Sequence, residues 1–247
     1  MASTPYPAGM ESFPLLSITT PESMRLPAYF ATKDIIFITS YPKSGTTWMQ
    51  NIVTSLLLGS EGYDKAVDHI SNYTPFLESP KTHSTIEAFF HKFDGFSCFN
   101  THLLCDIHLP NSMWEQQPKR CFVIYCVRNM KDTIVSFYHH LSNQKGNESA
   151  AGMTFKSFLL EFVSGRLPYG CYLKHVQYYR ELAVSGGGRG LAGNVLLVRY
   201  EDMIADLSGS IGAVASHLHL TLDGVEVAAL AERNTFKVNP NPNLTLT

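Results

Sequence analysis

The segment YPKSGTTW at residues 41–48 constrains this chain most, because it joins a predicted strand directly to a predicted helix. Residues 35–38 before it form an apolar run rich in β-branched side chains, as in a strand buried on both faces. After it, apolar residues recur at helical spacing, namely Trp48, Ile52, Val53, Leu56 and Leu57. The pattern predicts a strand over residues 34–40 and a helix to about Leu58, with residues 44–47 at the helix N-terminus.

A helix N-terminus attracts anions, because its first N–H groups lack intrahelical partners and the peptide dipoles favour negative charge there. The segment therefore predicts a phosphate or sulfate site. It differs from the nucleoside-triphosphatase loop GxxxxGK[ST], in which Lys follows the second Gly and a hydroxyl holds Mg²⁺. Here Lys43 precedes Gly45, and Thr46 and Thr47 follow it, so we expect anion binding without a metal. The alternative is an ordinary strand-to-helix turn in which Ser44 or Thr46 caps the helix.

Further strands and helices alternate along the chain. Strands are predicted to end near residues 100–102 and to cover residues 121–127 and 195–198, the last two buried. Helices are predicted over residues 84–92, 128–141, 155–163, 172–184, 211–218 and 224–233, and the second has Met130, Ile134, Val135 and Tyr138 on one face. The order predicts an α/β fold of the P-loop type, with a mostly parallel central sheet flanked by helices on both faces. Ligands bind such sheets beyond the carboxyl ends of the strands.

Composition narrows the class of protein. A chain of 247 residues that is 45% hydrophobic predicts one domain over residues 1–247, with residues 1–30 as an irregular arm. The net charge of −2, without a long basic run, argues against a nucleic-acid partner. Five cysteines without a CxxC pair indicate reduced thiols. The N-terminus lacks the pattern of a signal peptide and no apolar run could span a bilayer, so we expect a cytoplasmic protein without a membrane partner.

Polar groups follow the strands where such a sheet would bind a ligand. They are His102, Arg128 and the Tyr200-Glu201-Asp202 segment. Each has a structural alternative, since a lone His is commonly a hydrogen-bonded structural residue and acidic residues are common at the start of a helix. Their shared position after strands favours a common site.

Five sequence blocks resemble the cytosolic sulfotransferases in order and spacing, from about Asp34 to about Lys237. They are YPKSGTTW, NTHL, VIYCVRNMKDTIVSFYHH, PYGCYLKH and VLLVRYEDM. That family transfers the sulfuryl group of 3′-phosphoadenosine 5′-phosphosulfate to a hydroxyl or amine. The resemblance implies this nucleotide as co-substrate, no metal, and a small-molecule acceptor such as a phenol, a steroid or another alcohol.

The resemblance also implies roles for individual residues. His102 would be the general base, and Lys43 would stabilise the charge on the leaving phosphate. Arg128 and Ser136 would hold the 3′-phosphate. The 5′-phosphosulfate would be held by Lys43, Ser44, Gly45, Thr46, Thr47 and Trp48, with Trp48 near adenine. Other nucleotide-facing positions would be Tyr200, Thr235 and Phe236, and the acceptor pocket would contain Phe76, Asn100, Thr101 and His102.

The sequence departs from the family pattern at its end. The family continues into an Arg-Lys-Gly turn and a GxxGxWK motif that complete the 3′-phosphate site, and the printed sequence ends at residues 240–247 without them. We therefore expect weaker nucleotide binding, and a monomer or weak homodimer because the dimer motif is also missing. The alternative hypothesis is a truncated or weakly active paralogue that binds nucleotide or acceptor without efficient turnover. A P-loop kinase is disfavoured because Lys43 precedes Gly45 and no Asp-led Mg²⁺ site is evident.

Overall fold

A parallel sheet forms the centre of the protein. The computed structural model describes residues 30, 32–59, 62–64, 67–105, 120–143, 152–185, 191 and 193–235. Its strands are β1 (Asp34–Ser40), β2 (Phe96–Thr101), β3 (Cys121–Val127) and β4 (Val195–Arg199). Their order in the sheet is β2-β1-β3-β4, and every pair is parallel. Parallel neighbours need crossover connections, and among the described residues helices lie in the segments between β1 and β2 and between β3 and β4.

Among the described residues, helices follow β1, β3 and β4 along the chain. They are α1 (Thr46–Leu58), α2 (Pro80–Ser84), α3 (Glu87–Phe90), α4 (Met130–Ser142), α5 (Phe155–Val163), α6 (Tyr172–Ser185), α7 (Tyr200–Ala205), α8 (Leu207–His217) and α9 (Gly224–Arg233). A short 3₁₀ turn covers Ile70–Asn72. The predicted α/β class with a parallel sheet is therefore confirmed.

Apolar side chains on the two faces of the sheet pack against different helices. Residues at alternate positions of a strand point to opposite faces. Ile35 and Phe37 of β1 pack with residues of α4, α5 and α6, whereas Ile36 and Ile38 pack with residues of α1, α7, α8 and α9. Every residue of β1 is buried, which explains the continuous apolar run at residues 35–38. The sheet is thus covered on both faces, as predicted.

The register brings the carboxyl ends of the strands to one edge of the sheet. Thr39 of β1 is level with Thr101 of β2 and Tyr125 of β3, and Val127 of β3 is level with Arg199 of β4. Consequently the segments that follow the four strands emerge side by side. They carry the phosphate loop, His102, Arg128 and Tyr200.

Three predictions about secondary structure were wrong. The helix expected over residues 84–92 is divided into α2 and α3, and α2 starts earlier because Pro80 occupies its first turn, where a fixed φ favours helix initiation. Strand β4 is not a buried strand, because only Val198 is buried and β4 lies at one end of the described strand order. The buried face of α4 contains Thr133, Ile134 and Phe137, whereas Met130 and Val135 are exposed.

The predicted N-terminal arm lies outside the described part of the chain, apart from the buried Phe30. Within the described residues, no helix is long and apolar enough to cross a membrane.

Candidate active site

The phosphate loop connects β1 to α1 through two residues with left-handed backbone. Lys43 has φ of 67° and Gly45 has φ of 106°. A Cβ atom added at Gly45 would lie 2.8 Å from Cδ2 of Tyr200, closer than real Cβ contacts. Glycine is therefore required here both by its torsion angle and by the close approach of Tyr200. The loop geometry thus depends on the helix that follows β4.

The N-terminus of α1 carries no side-chain cap, and Gly45 is its N-cap residue. Thr46 is instead hydrogen-bonded through Oγ1 to Oγ of Ser40, at 2.5 Å. Ser44 is fully buried, and its Oγ has no hydrogen-bond partner among the described residues. The capping alternative is therefore wrong for both Ser44 and Thr46. A buried hydroxyl without a partner is costly, and a bound anion at this helix start would satisfy it.

Arg128 approaches the loop from the end of β3. Its Nη1 donates to the carbonyl oxygen of Lys43 at 3.2 Å, and its guanidinium carbon lies 4.5 Å from the ring centroid of Tyr200. The Nε atom of Arg128 is buried without a hydrogen-bond partner in the described structure. The Tyr172 hydroxyl donates to the carbonyl oxygen of Arg128. The guanidinium is therefore positioned on two sides and retains a donor for an anionic ligand.

The neighbouring positive charges affect each other. Burial, and secondarily the charge of Arg128, lower the pKa of the Lys43 ammonium. An anion bound between Lys43 and Arg128 would favour the charged form of Lys43 and so oppose this lowering. A cavity of about 240 Å³ lies beside Arg128, and its lining also includes Tyr172, Arg199 and Glu201. The loop, its unpaired buried donors and the two cations fit a phosphate-bearing ligand.

The remaining predicted nucleotide positions differ in their surroundings. The Trp48 ring is buried, with its Nε1 donating to the carbonyl oxygen of Asn234 at 2.9 Å and its ring edge-on to Tyr200 at 5.5 Å. Ser136 is half-buried on α4. Thr235 donates through Oγ1 to the carbonyl oxygen of Glu232 at 2.9 Å. Phe236 lies outside the described residues.

His102 lies one residue beyond β2, and its ring is fixed by the strand that leads into the loop. Its Nδ1 lies 2.7 Å from the carbonyl oxygen of Ser40. A carbonyl oxygen only accepts, so Nδ1 carries the proton and Nε2 has a free lone pair. The rings of Phe76 and Tyr169 flank the imidazole, with centroids at 5.7 Å and 5.1 Å. The tautomer is the one that a base acting through Nε2 requires.

Its surroundings keep His102 neutral at physiological pH. Burial lowers the pKa of His102 to about 4, and nearby His140 and Lys43 add to this effect while the hydrogen bond to Ser40 opposes it. Burial and Lys43 likewise lower the pKa of His140. Lys43, His102 and His140 therefore lie close enough to influence one another. Lys43 in the phosphate loop and His102 after β2 therefore belong to one electrostatic site.

The predicted acceptor-pocket residues differ in what they offer to a ligand. Phe76 is half-buried and lies against His102. Asn100 donates through Nδ2 to the carbonyl oxygen of Thr74 at 2.6 Å. Thr101 is fully buried and accepts from the N–H of Leu103 at 3.1 Å. The structure thus brings Phe76 together with His102, whereas the polar contacts of Asn100 and Thr101 are internal.

Sequence reasoning missed Glu78, a fully buried carboxyl next to His102. Its Oε1 accepts from the N–H of His102 at 2.8 Å, and its carboxyl also interacts with the side chains of Thr101 and Tyr169. Burial raises the pKa of Glu78 to about 8, against the lowering effect of these hydrogen bonds. Glu78 precedes His102 by 24 residues, and an isolated bridge between Phe76 and Asn100 brings the segments together. No local pattern indicated this contact.

Comparison with known proteins identifies the family. The sequence model of the Sulfotransferase domain matches residues 33–242. The chain belongs to the sulfotransferase family. It is 31% identical to human Sulfotransferase 1E1 over 223 residues, which is 88% of this chain and 71% of that protein. It is 30% identical to the 3-alpha-hydroxysteroid sulfotransferase of Cavia porcellus, over 99% of this chain and 80% of that protein.

Solved sulfotransferase structures share the fold. The structure of mouse sulfotransferase SULT7A1 complexed with PAP superposes with a TM-score of 0.66 at 25% identity, over 91% of this chain and 72% of the other. A retinol dehydratase structure superposes with a TM-score of 0.64 at 20% identity, over 91% of this chain and 69% of the other. The protein is thus a sulfotransferase with the P-loop-type α/β fold of its relatives.

Proposed function

We propose that this sulfotransferase moves the sulfuryl group of 3′-phosphoadenosine 5′-phosphosulfate onto a hydroxyl or amine of a small molecule, such as a phenol, a steroid or another alcohol. Support for the donor comes from the PAP complex of the mouse relative and from the unpaired buried donors of Ser44 and Arg128. Support for a steroid or similar acceptor comes from the hydroxysteroid specificity in the name of one relative.

The position of the base next to the phosphate loop carries this proposal. Nε2 of His102 takes the acceptor proton while the acceptor oxygen forms a bond to sulfur. The bond from sulfur to the 5′-phosphate oxygen breaks, and its electron pair remains on the leaving 3′,5′-bisphosphate. Lys43 stabilises the negative charge that develops on this oxygen. Removal of one well-placed donor of this kind lowers the rate by about 10²- to 10³-fold. The in-line arrangement of the acceptor oxygen, the sulfur and the leaving phosphate oxygen supplies the rest of the rate enhancement.

The nucleotide is held from two sides. Residues 43–48 bind the 5′-phosphosulfate through loop N–H groups and hydroxyls, with Trp48 near adenine. Arg128 and Ser136 hold the 3′-phosphate, the first as a charged fork and the second as a neutral donor. Tyr200, Thr235 and Phe236 complete the nucleotide side. Phe76, Asn100, Thr101 and His102 form the acceptor side, where Phe76 and the His102 ring meet the acceptor directly. We further propose a monomer or weak homodimer, which sedimentation velocity tests.

Turnover by the purified full chain tests the proposal. The chain is incubated with ³⁵S-labelled donor and a panel of phenols, steroids and amines, and bisphosphate binding is measured by calorimetry. His102→Ala is compared with His91→Ala, which removes an exposed imidazole from another part of the surface. We expect wild type and His91→Ala to turn over, and His102→Ala to lose about 10²- to 10⁴-fold in kcat.

Each other outcome has a defined meaning. Bisphosphate binding without turnover in wild type favours the alternative of a weakly active nucleotide-binding paralogue. Absence of both binding and turnover contradicts both hypotheses. Full activity in His102→Ala contradicts the assignment of the base but leaves the donor assignment standing.

A further inference from the structure

His175 is a fully buried histidine on α6 whose two ring nitrogens both meet polar partners. Nε2 lies 3.0 Å from the carbonyl oxygen of His102, and Nδ1 lies 2.9 Å from the hydroxyl oxygen of Tyr125. Because the carbonyl only accepts, Nε2 carries the proton, and Nδ1 accepts from the Tyr125 hydroxyl. The His175 ring is therefore a hydrogen-bond donor directed at the main chain of His102.

Tyr125 connects this histidine to the phosphate loop. Its ring lies in β3 and stacks on His175, with centroids 5.6 Å apart and an interplanar angle of 27°. Its hydroxyl also interacts with the backbone of Tyr41, and the Tyr41 ring lies edge-on to the His175 ring, with centroids 5.6 Å apart. Tyr41 follows Ser40, whose carbonyl accepts from Nδ1 of His102. The contacts thus form a closed ring that runs from His102 through the start of the loop, Tyr125 and His175 back to His102.

This ring of contacts holds the backbone of His102 just beyond the end of the sheet. β2 ends at Thr101, so the ladder of hydrogen bonds stops one residue before His102. Glu78 accepts from the N–H of His102, and His175 donates to its carbonyl oxygen. Both main-chain polar groups of this residue are therefore held by buried side chains.

Resting on the proposed role of His102 as base, we propose that His175 is a positioning residue for the sulfuryl transfer, which holds the main chain of His102 so that its ring meets the acceptor hydroxyl. Tyr125 keeps His175 in the donor tautomer. A displacement of about 1 Å can cost about 100-fold in rate, so a contact with the backbone of the base affects turnover directly. A purely structural histidine would instead change stability alone.

Two amides of different length separate these roles in the full chain. The side-chain nitrogen of Asn occupies the position of Nδ1, whereas that of Gln reaches the position of Nε2. We expect His175→Asn to lower kcat by about 10- to 100-fold with the KM for the donor unchanged within about two-fold. We expect His175→Gln, which keeps a donor for His102, to recover kcat to within about five-fold of wild type. Tyr125→Phe should give an intermediate kcat.

His217→Asn is the matched control. The His217 ring is half-buried and lies edge-on to Phe122, with centroids 5.5 Å apart, near the amino end of β3 and away from the site. Its substitution should lower the unfolding midpoint without lowering kcat. Equal kcat values for His175→Asn and His217→Asn would overturn the proposal. A His175→Gln variant that folds and is as slow as His175→Asn would also overturn it. If His175→Asn does not fold, His175→Gln is compared with Tyr125→Phe instead.

Imidazole ¹⁵N spectra separate a failure of this inference from a failure of the proposed function. In substrate-free wild type we expect His102 as the Nδ1–H tautomer and His175 as the Nε2–H tautomer. His175→Gln should keep the first signal, and Tyr125→Phe should reduce the population of the second. If wild type lacks turnover, or if His102→Ala keeps it, the assignment of His102 as the base is contradicted. The spectra still decide whether His175 holds His102 in place. A His102 signal that is unchanged in every variant, or a His175 ring protonated at Nδ1, overturns the inference.

Discussion

Nδ1 of His102 lies 2.7 Å from the carbonyl oxygen of Ser40, so the imidazole is hydrogen-bonded to the last residue of the strand that leads into the phosphate loop. This contact fixes the tautomer and places the base within the same rigid unit as Lys43. A displacement of the Ser40 carbonyl would therefore change the orientation of the imidazole.

The enzyme should stay active on the acid side of neutrality. Because the pKa of His102 is lowered to about 4, chiefly by burial, the base remains neutral well below pH 6.5. We expect the acid limb of kcat/KM, which reports groups in the free enzyme, to lie near pH 4. Far-UV circular dichroism at each pH distinguishes protonation from unfolding. An acid limb at pH 6.5 or above in a folded protein would contradict the assignment.

The same lowered pKa has a consequence for stability. Between about pH 4 and 6.5 the unfolded chain binds a proton at His102 that the folded protein does not, so His102 makes stability rise with pH across this window. His102→Gln should remove this part of the pH dependence. The measurement is the urea midpoint of both proteins at several pH values between 4 and 7.

Glu78 should make stability fall as pH rises, and Glu78→Gln should remove this fall. The pKa of Glu78 is raised to about 8 by burial, so the folded protein keeps a proton that the unfolded chain loses above its ordinary pKa of 4.5. Wild-type stability therefore decreases from about pH 4.5 to 8 at this site, and a neutral amide does not share the loss. We expect the urea midpoint of Glu78→Gln minus that of wild type to increase across this window. A difference independent of pH would show that Glu78 is ionised when folded.

Lys43→Gly separates the ammonium from the backbone that carries it. Lys43 has φ of 67°, which glycine adopts without the cost of about 1–2 kcal/mol that other residues incur. We expect an unfolding free energy within about 1 kcal/mol of wild type, together with a kcat lower by about 10²- to 10³-fold. Lys43→Arg is the control that keeps the charge and should retain more activity than the glycine variant. Equal kcat values for wild type and Lys43→Gly would exclude Lys43 from the chemistry.

Gly45→Ala should disrupt the phosphate loop. The new Cβ would lie 2.8 Å from Cδ2 of Tyr200, and φ of 106° is strained for alanine. We expect bisphosphate affinity to fall by at least about 10-fold, because charge-assisted hydrogen bonds contribute about 1.5–3 kcal/mol each. Gly212→Ala is the matched control, since it lies inside α8, has no neighbouring atom within 4 Å of the added Cβ, and should stabilise the helix. Calorimetry and thermal unfolding measure the two effects.

Ser44→Ala should weaken binding without weakening the fold. Ser44 is fully buried and its Oγ lacks a hydrogen-bond partner within the described structure, so its removal costs the folded protein no such bond. We expect bisphosphate affinity to fall by about 10-fold, while the unfolding midpoint stays equal or rises. Loss of stability with unchanged affinity would mean that Ser44 serves the fold and not the ligand.

Local patterns predicted the parts of the fold that depend on local causes. The limits of β1, α1 and β3 follow from apolar runs and from the loop at residues 41–48, and each agrees with the structure. The buried face of α4 was mispredicted because Thr133 is buried, which apolar periodicity does not indicate. The exposure of β4 depends on its place at the end of the strand order, which residues 195–198 alone do not reveal.

The site was predicted where motifs border strands and missed where contacts are long-range. His102 and Arg128 follow β2 and β3 directly, so the topology of a parallel sheet brings them together. Glu78 and His175 contact the main chain of His102 from segments 24 and 73 residues away in sequence. Because such contacts involve backbone atoms, they leave no residue pattern to recognise. The structure was needed to find the residues that hold the base.

The ring of contacts around His102 also makes activity a late event in folding. Its hydrogen bonds join residues separated by 62, 50 and 73 positions in sequence, so each one closes a long loop. Long-range contacts form slowly because chain entropy is lost before they contribute. A nascent or refolding chain that already has its helices would still lack an oriented base. Recovery of turnover should therefore lag behind recovery of secondary structure, and catalysis itself would report when the last tertiary contacts have formed.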